Sequence, residues 1–580
     1  MVERNRPLLV LAVSGAIGFA LGVSVFATWQ VAVESAQVVA GLVKYPPDNP
    51  FYIYHRELWT VLHQLGALLL RVGFSEIALS RLLSGVLGMV SFQAIAVLLY
   101  SFSGDLLLAV AAAPLILYAR AVEHGATYPI ALMGTDHTYG ILGLSLAVLV
   151  VGLFGAGCYR LGGFLLGLAP AVHASIGAWL AVIVAGCFLW DFRQLRSEWR
   201  RALPWFIAGC GVTALSLGVH FTMARGIAHV EPAVAARYLD AFVSRWDEHR
   251  RAANFISVGT ILNGVTLVIG LAWLMLFRSD LPPRSLFVLR AVIAAGVLSL
   301  PLMMLSWLPP ASVPAPLLTV MPNRLVNFNV LAFVPLLLGL LAAYRNSLWS
   351  HVAIAAFLGA LFINYRSMVW DGYPSAGTLR LFALNPWHVF VAGSVVLLAV
   401  AVAAGLERSR PWPVSTVAPR AFTLGLLAIA AVLTFRLSPP YPFRDRTNDP
   451  FMAAVAAETR GVVATGGSFH LVQLYTRRPV LLDGGALDTL PYAPDAGPAM
   501  ERILREVYGL DFLNPPRELQ QAAFIPHSFN RPIWEGYSRL KWQEIGFAFG
   551  VTQVLTRAEW RLDLPVAAED RFFKLYQIPK

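Results

Sequence analysis

Long apolar runs, separated by short polar segments, follow one another along the chain as far as about residue 438. A helix needs roughly 20 apolar residues to cross the hydrocarbon core of a bilayer, so each long run is a predicted span. The runs lie near residues 7–33, 76–101, 104–119, 138–156, 204–223, 256–277, 290–308, 326–343, 350–364, 387–405 and 421–437. The first run follows basic residues and lacks a clear small-residue cleavage site, so we predict a retained anchor with its N-terminus inside.

The apolar stretch 161–190 is long for one helix and contains Pro170, which removes a backbone donor. A single span would place the basic segment 191–201 outside, against the preference of Arg and Lys for the cytoplasmic side. Two short spans, with the break at Pro170, place it inside. We therefore predict a hairpin with His173 at its tip, which brings the total to thirteen spans.

Thirteen spans divide the loops between the two sides of the membrane. The arginine clusters then lie inside, as the positive-inside rule requires. The longer polar segments all lie outside: 34–75, 120–137, 224–255, 309–325, 365–386 and everything after about 438. Polar complexity is thus predicted to concentrate on one face of the membrane domain.

The segment 438–580 differs from the membrane domain 1–437, because it has mixed charge, a proline-rich entry and no apolar run. Its pattern predicts strands at 461–467, 479–485, 550–556 and 572–578 and a helix at 468–478 that begins at Ser468. The predicted fold class is an α-helical polytopic membrane protein that carries a small C-terminal extracytoplasmic α/β domain.

Composition supports this class. The chain is 57% hydrophobic and 13% charged, with mean hydropathy +0.64, whereas soluble proteins average about 25% charged residues. The formal charge of +11 comes from bases clustered beside apolar spans, which indicates membrane orientation and argues against nucleic-acid binding. Cys158, Cys187 and Cys210 lie in or beside apolar segments, so neither a disulfide framework nor a cysteine zinc site is predicted.

The stretch 57–105 resembles the region after the first loop of polytopic C-type (GT-C) glycosyltransferases. A loop rich in proline and aromatic residues leads into a membrane-surface helix, a G-x-S-E-x-A-x-R-L turn and the second span. Here that turn is Gly73 to Leu82, with one extra residue before Arg81. The segment 163–179 is similar to the broken fifth and sixth spans of that family, and the end of the chain is similar to its closing outer strands.

The resemblance implies transfer of a sugar from a polyprenyl-phosphate donor to an acceptor on the outer face, with acids of the first outer loop at the site. Glu34 is the positional match, although Ser35 stands where many members have a second acid. Asp136 matches an acid before the fourth span. From its position in the same outer loop, Asp48 is a third catalytic candidate. Such chemistry needs a carboxylate to deprotonate the acceptor or to hold a metal.

Each acid also has a structural explanation. Glu34 could be a solvated residue that favours the start of a helix, and Asp48 fits the turn Pro-Asp-Asn. Glu57 is predicted to pair with Arg56. The mixture of Asp and His around Asp136 would suit a divalent metal, Mg²⁺ or Mn²⁺, but no regular ligand spacing requires one, and the cofactor stays open.

The leaving phosphate needs cations, and the sugar needs polar partners. Arg324, at the outer entry to a span, is the first choice for phosphate because guanidinium can bind two of its oxygens. The other binding candidates are Arg250, on a predicted amphipathic surface helix at 237–255, His173, His137 and His55. The alternatives are snorkelling for Arg324, interfacial anchoring for Arg250 and a satisfied core position for His173.

The favoured function is therefore a glycosyltransferase of the cytoplasmic (inner) membrane whose C-terminal domain is periplasmic. Its partners would be a polyprenyl-phosphate-linked sugar, membrane lipids, and a glycan, lipid or protein acceptor. A non-catalytic relative that binds glycan is the main alternative, because the acidic pair is missing and fold alone does not fix function. A lipid or solute transporter is disfavoured, because inverted half-repeats are not evident.

Overall fold

The computed structural model describes residues 2–114, 138–247, 250, 256–344, 350–358, 421–429, 449–467, 472–484 and 487–579. In these residues a bundle of helices is followed by a small region that contains a sheet. The helices up to residue 343 are α1 (Val2–Val23), α2 (Ala32–Ala40), α3 (Pro50–Glu57), α4 (Val61–Arg71), α5 (Glu76–Ser103), α6 (Leu106–Ala112), α7 (Thr138–Gly155), α8 (Tyr159–Val172), α9 (Ala174–Trp190), α10 (Phe192–Met223), α11 (Pro232–Ala241), α12 (Val258–Leu276), α13 (Ser285–Leu305), α14 (Ala315–Val320) and α15 (Val326–Ala343). Residues 350–358 and 421–429 are also helical.

Within the described residues, 6 helices are long and apolar enough to cross a bilayer: Arg6–Val23, Glu76–Ser103, Phe192–Met223, Gly259–Leu276, Ser285–Leu305 and Val326–Ala343. Shorter apolar helices, among them α7, α8 and α9, lie between them. The predicted class, a helical polytopic membrane protein, is confirmed. The predicted spans at 387–405 and 421–437 lie wholly or partly outside the described residues.

The first span ends ten residues earlier than predicted, because α1 stops at Val23 and a separate α2 begins at Ala32. The intervening backbone is held by hydroxyl groups of α5. Ser84 Oγ accepts from Thr28 N at 3.2 Å, and Ser80 Oγ accepts from Gln30 N at 3.3 Å. Apolar composition could not reveal this break in the helix, since the backbone N–H groups there donate to side chains 50 and 56 residues away.

The predicted hairpin at 161–190 consists of the two short helices α8 and α9, but they separate at His173 and not at Pro170, which lies inside α8. The backbone of His173 is extended, and its side chain caps α9 by accepting from Ile176 N at 3.5 Å. The basic segment 191–201, predicted as a loop, is instead the first part of α10. Its Arg, Gln, Leu and Glu residues are good helix formers, so charge did not interrupt the helix.

The C-terminal region contains a four-stranded sheet of order β1-β2-β4-β3, built from β1 (Val462–Thr465), β2 (Val551–Arg557), β3 (Val566–Glu569) and β4 (Phe573–Gln577). Strands β1 and β2 are parallel, and the other two pairs are antiparallel. The helices of this region are α16 (Pro450–Ala457), α17 (Val472–Thr476), α18 (Gly497–Val507), α19 (His527–Glu535) and α20 (Arg539–Phe549). Helix α16 contacts β3, and α20 contacts β2.

Three of the four predicted strands are confirmed as β1, β2 and β4. The fourth, at 479–485, is wrong, because Val480 makes only an isolated bridge with Val463. The predicted helix at 468–478 is present as the shorter α17, and Ser468 lies outside the described residues. The predicted division at 437/438 also lies outside the described residues and stays a prediction.

The C-terminal region and several predicted outer loops share one apolar core. This core contains Tyr45 and Phe51 of the first loop, Trp246 after α11, and residues of the sheet such as Val463 and Leu555. At the other end of the bundle, the predicted inner segments meet through the ion pair Arg290–Asp191 at 2.5 Å. The assignment of these segments to the two sides of the membrane stays a prediction.

Candidate functional site

Glu34 lies in the first turn of α2, beneath the C-terminal region. Helix α2 ends at Gly41, whose left-handed backbone (φ 81) lets its N–H reach the carbonyls of Gln37 and Val38. Gln473 of α17 donates to the Glu34 carbonyl oxygen at 2.9 Å. The Oε1 atom of Glu34 is buried. Glu34 as a whole is half-buried, so one of its carboxylate oxygens is covered where α2 meets the C-terminal region.

Three tyrosines lie close enough to Glu34 to feel its charge: Tyr45, Tyr54 and Tyr139. Burial raises the pKa of Tyr45 and of Tyr54 well above the ordinary value, and the negative charge of Glu34 adds to both shifts. Both phenols therefore stay protonated at neutral pH. Both lie close enough to Glu34 for its charge to act on them, while Tyr45 donates its own hydrogen to Gln473.

Asn49 fixes the position of the first outer loop. Its Oδ1 accepts from Phe51 N at 2.8 Å and caps α3, while its Nδ2 donates to the carbonyls of Val480 and Leu481 at 3.2 and 3.0 Å. Tyr45 Oη donates to Gln473 Oε1 at 2.7 Å. The proline- and aromatic-rich loop is thus a docking element for the C-terminal region.

His55 on α3 is buried, with 4% of its surface exposed. Its Nδ1 and Ser35 Oγ are 2.9 Å apart, and Tyr139 Oη donates to the same Ser35 oxygen at 3.3 Å. Burial lowers the pKa of His55 to about 3, despite a hydrogen bond with Gln473 that acts to raise it. The imidazole is therefore neutral at physiological pH. It can form hydrogen bonds, but it carries no positive charge that would attract a phosphate group.

His173 lies at the break between α8 and α9, near enough to Arg324 for the charge of the guanidinium to act on the imidazole. The ring packs against α7, since a side-chain carbon at Gly143 would lie 2.9 Å from His173 Cβ. At the same break, Thr60 Oγ1 donates to the Val172 carbonyl at 3.0 Å. The hairpin tip, Arg324 and the first outer loop therefore border one region.

The other predicted residues lie elsewhere. Asp48 is exposed in the turn before Asn49, and Asp136 and His137 lie outside the described residues. Arg250 does not sit on a surface helix. Its side chain is 4% exposed and pairs with the buried Asp247, and its Nε donates to the Leu318 carbonyl at 2.7 Å. This contact favours a structural role over interfacial anchoring, because a guanidinium paired this way is not available to headgroups.

Glu57 does not pair with Arg56 as predicted, since Arg56 stacks over the Tyr52 ring at 5.3 Å. Glu57 instead lies beside His229 and Asp495, and one ligand atom from each of these three lies within 4.8 Å of the others. His229 Nδ1 is 2.7 Å from Asp495 Oδ2 and 3.9 Å from Glu57 Oε1. Burial and the Asp495 carboxylate raise the pKa of Glu57 to about 7.

In the part of the chain that the structure describes, this is the group of side chains suited to hold a metal ion. Sequence reasoning missed it because His229 and Asp495 are 266 residues apart and share no motif. The donor set, one imidazole nitrogen and carboxylate oxygens, fits Mn²⁺ or Zn²⁺ better than Mg²⁺.

Comparison with known proteins adds little to this picture. No protein-family model and no curated protein matches the chain. Among solved structures, ArnT from Cupriavidus metallidurans in the apo state is similar over 99% of this chain and 98% of that chain, with 15% identity and a TM-score of 0.38. At this level of similarity the comparison supports no assignment, so function must be argued from the residues.

Proposed function

We propose that the chain is a membrane glycosyltransferase of the GT-C type that uses a polyprenyl-phosphate sugar and acts at the outer face of the cytoplasmic membrane. The observation that carries the proposal is the half-buried carboxylate of Glu34, with Tyr45 and Tyr54 near it, on an outer loop that also contacts the hairpin tip on which Arg324 acts. An acid and a cation at one end of an apolar bundle are what transfer from a lipid phosphate requires.

In this proposal Glu34 takes the proton of the acceptor hydroxyl, and the guanidinium of Arg324 stabilises the departing phosphate. His55 and Ser35 keep α2 and α3 in register through their 2.9 Å contact. The exposed Asp48 is the weaker choice for the acid, because water around it would reduce its electrostatic influence.

A divalent cation, if one takes part, would be held by Glu57, His229 and Asp495. Its positive charge would hold the end of α3 against the C-terminal region. Removal of metal with a chelator should then weaken that contact, and metal analysis of the purified protein should show loss of the ion in Glu57→Gln.

The test is incubation of the purified protein with radiolabelled polyprenyl-phosphate sugars and a membrane extract, with and without divalent metal. Glu34→Gln should reduce consumption of the donor by about 100-fold or more, the usual effect of removing a general base. Asp48→Asn should retain most of the activity. Full activity in Glu34→Gln, together with loss of activity in Asp48→Asn, would assign the role of general base to Asp48. Full activity in both variants would refute the assignment of either acid.

The second candidate is a non-catalytic protein that binds a lipid-linked glycan. It is favoured by Ser35, which stands at the position of the second acid and is engaged by His55 and Tyr139. Such a protein would bind the donor without consuming it, and Glu34→Gln would leave that binding intact. The incubation above separates the two candidates.

A further inference from the structure

Helix α10 is the least enclosed of the six candidate spans that the described residues contain. Of its apolar segment 17% is buried, whereas 39% to 89% is buried in the other five. It packs closely on α8 along one side, where a side-chain carbon at Gly163 or Gly167 would lie 2.5 or 2.3 Å from a carbonyl oxygen of α10. The described part of the chain leaves the opposite side of α10 uncovered.

Three arginines form a stripe along this uncovered side, near the start of α10. Arg193, Arg196 and Arg200 follow one another at spacings of three and four residues, which places them on one side of the helix. All three are exposed. None of their side chains forms a hydrogen bond, an ion pair or a ring contact with another described residue. The arginine stripe thus presents three guanidinium groups without protein partners in the described part of the chain.

The nearby acids do not neutralise the arginine stripe. Asp191, just before α10, pairs with the buried Arg290 at 2.5 Å. Glu198 lies on the opposite side of the helix, because a step of about 100° per residue places it roughly 170° from the stripe. Its carboxylate accepts from Ser197 Oγ at 2.6 Å. The surface around the three arginines therefore carries an uncompensated positive charge.

The arginine stripe lies at the depth of the lipid headgroups. Helix α10 has 32 residues and its apolar part follows the arginines. Since about 20 residues cross the hydrocarbon core, roughly the first 12 extend beyond it. Trp190 and Phe192, which precede the stripe, are 52% and 51% exposed, and exposed tryptophan is typical of the boundary between headgroups and acyl chains. Guanidinium groups at this boundary can reach the phosphates of the bilayer.

A shallow groove continues the stripe along the apolar part of α10. The residues 7, 11, 18 and 21 positions after Arg200 lie on the same side of the helix: Ile207, Gly211, Gly218 and Phe221. Ile207 and Phe221 are 61% and 63% exposed, while no described atom lies within 4 Å of a side-chain carbon at either glycine. The glycines therefore leave a groove between two bulky side chains. It is about 21 Å long at 1.5 Å per residue, which suits an extended acyl chain.

We propose that this side of α10 binds an anionic phospholipid of the surrounding bilayer. The arginines donate to the phosphate group, which a guanidinium can bind through two oxygens, and one acyl chain lies in the groove. A zwitterionic lipid carries a positive charge of its own, so three uncompensated arginines favour a lipid with net negative charge. The groove in line with the stripe favours a lipid over a soluble anion or a nucleic acid.

A phospholipid site requires more than the positive-inside bias. That bias needs only basic residues on one side of the membrane, in any arrangement. A lipid site needs cations on one side of a helix, available to a phosphate and in line with an apolar groove, and α10 has this arrangement. Binding of such a lipid is independent of the proposed function.

The experiment titrates phosphatidylglycerol or phosphatidylcholine, with the same acyl chains, into the full-length protein in detergent and measures both dissociation constants. The wild type should bind phosphatidylglycerol more tightly, and this advantage should shrink in high salt. Each arginine near an anionic headgroup contributes about fivefold in affinity. Replacement of all three by glutamine should therefore weaken binding of phosphatidylglycerol on the order of 100-fold, and binding of phosphatidylcholine much less.

A matched control removes the same charge from another part of the protein. Three exposed arginines of the C-terminal region are replaced by glutamine: Arg517, Arg539 and Arg561. This variant should bind phosphatidylglycerol as tightly as the wild type does. A second variant, Gly211→Leu with Gly218→Leu, fills the groove where no described atom lies within 4 Å of either Cβ position. It should weaken binding of phosphatidylglycerol and leave the salt dependence unchanged.

Several results would overturn the proposal. Equal affinity of the wild type for the two lipids would refute it, as would equal losses in the stripe variant and the control, because net charge alone would then explain them. A glycine variant with unchanged lipid affinity and an altered oligomeric state would assign this side of α10 to contact with a second copy of the chain. If the triple variant does not insert or fold, Arg196→Gln alone is the test: the expected loss is about fivefold, and unchanged affinity would refute the proposal.

Discussion

Asn49 offers the sharpest test of how the first outer loop holds the C-terminal region. The side chain is 4% exposed and makes three hydrogen bonds, one to Phe51 N and two to the carbonyls of Val480 and Leu481. Loss of the cap should cost about 1 kcal/mol. Loss of the other two bonds should cost about 1 kcal/mol each. Asn49→Ala should therefore weaken the docking by about 3 kcal/mol in all.

Hydrogen exchange of segment 472–484 is the appropriate assay, because it reports local opening of this contact. A loss of about 3 kcal/mol corresponds to exchange faster on the order of 100-fold, at about 1.4 kcal/mol for each factor of ten. Asn49→Asp keeps the cap acceptor but places a carboxylate against two carbonyls. It should therefore reproduce most of the effect and show that docking, more than capping, is responsible.

Asp48→Ala is the control, because Asp48 is the adjacent residue and is exposed. Its exchange rates should match those of the wild type, since surface substitutions usually change stability by less than about 0.5 kcal/mol. Exchange in Asn49→Ala within threefold of the wild type would refute the reasoning. It would mean that Tyr45 and the shared apolar core hold the region without Asn49.

Three further predictions concern stability, measured as the unfolding temperature in detergent. Arg477→Ala removes two hydrogen bonds of 2.7 and 3.1 Å to the Glu76 carboxylate. Because Arg477 is half-exposed, the loss of folding free energy should be about 1 kcal/mol or less. The loss should be smaller in high salt, which screens the ion pair. Gly497→Ala should cost about 1–3 kcal/mol, since its Cβ would lie 2.4 Å from the Tyr238 ring. Acidification should lower stability as the pH falls below 6.5. The pKa of His55 is about 3 in the folded protein and 6.5 in the unfolded chain, so the unfolded chain binds the proton first. Because His63 has a similarly lowered pKa, His55→Asn should reduce this dependence without abolishing it.

Each of these has a specific contradicting result. A salt-independent effect of Arg477→Ala would mean that the ion pair is not the cause. Gly186→Ala is the control for Gly497→Ala, because no atom lies within 4 Å of its Cβ position; equal effects would refute the steric argument. Unchanged pH dependence in His55→Asn would assign the acid sensitivity to other groups.

The sequence determined the membrane class and most of the helices, because the length and apolarity of a span are local properties imposed by the bilayer. It also determined β1, β2 and β4, whose runs of β-branched or aromatic residues are bounded by turn residues. The hairpin with His173 followed from the length of the apolar stretch, from Pro170 and from the placement of the basic segment 191–201. The same reasoning misplaced the end of α1 and the start of α10, because the ends of helices depend on capping and on partners distant in the chain.

The tertiary structure alone decided which polar side chains meet. Gln473 and Tyr45 are 428 residues apart, and His229 and Asp495 are 266 residues apart, so no spacing in the sequence could join them. Position after the first span identified Glu34, but the buried tyrosines near it depend on how the first outer loop and the C-terminal region pack. Burial is a property of that packing, and burial makes these groups neutral or reactive.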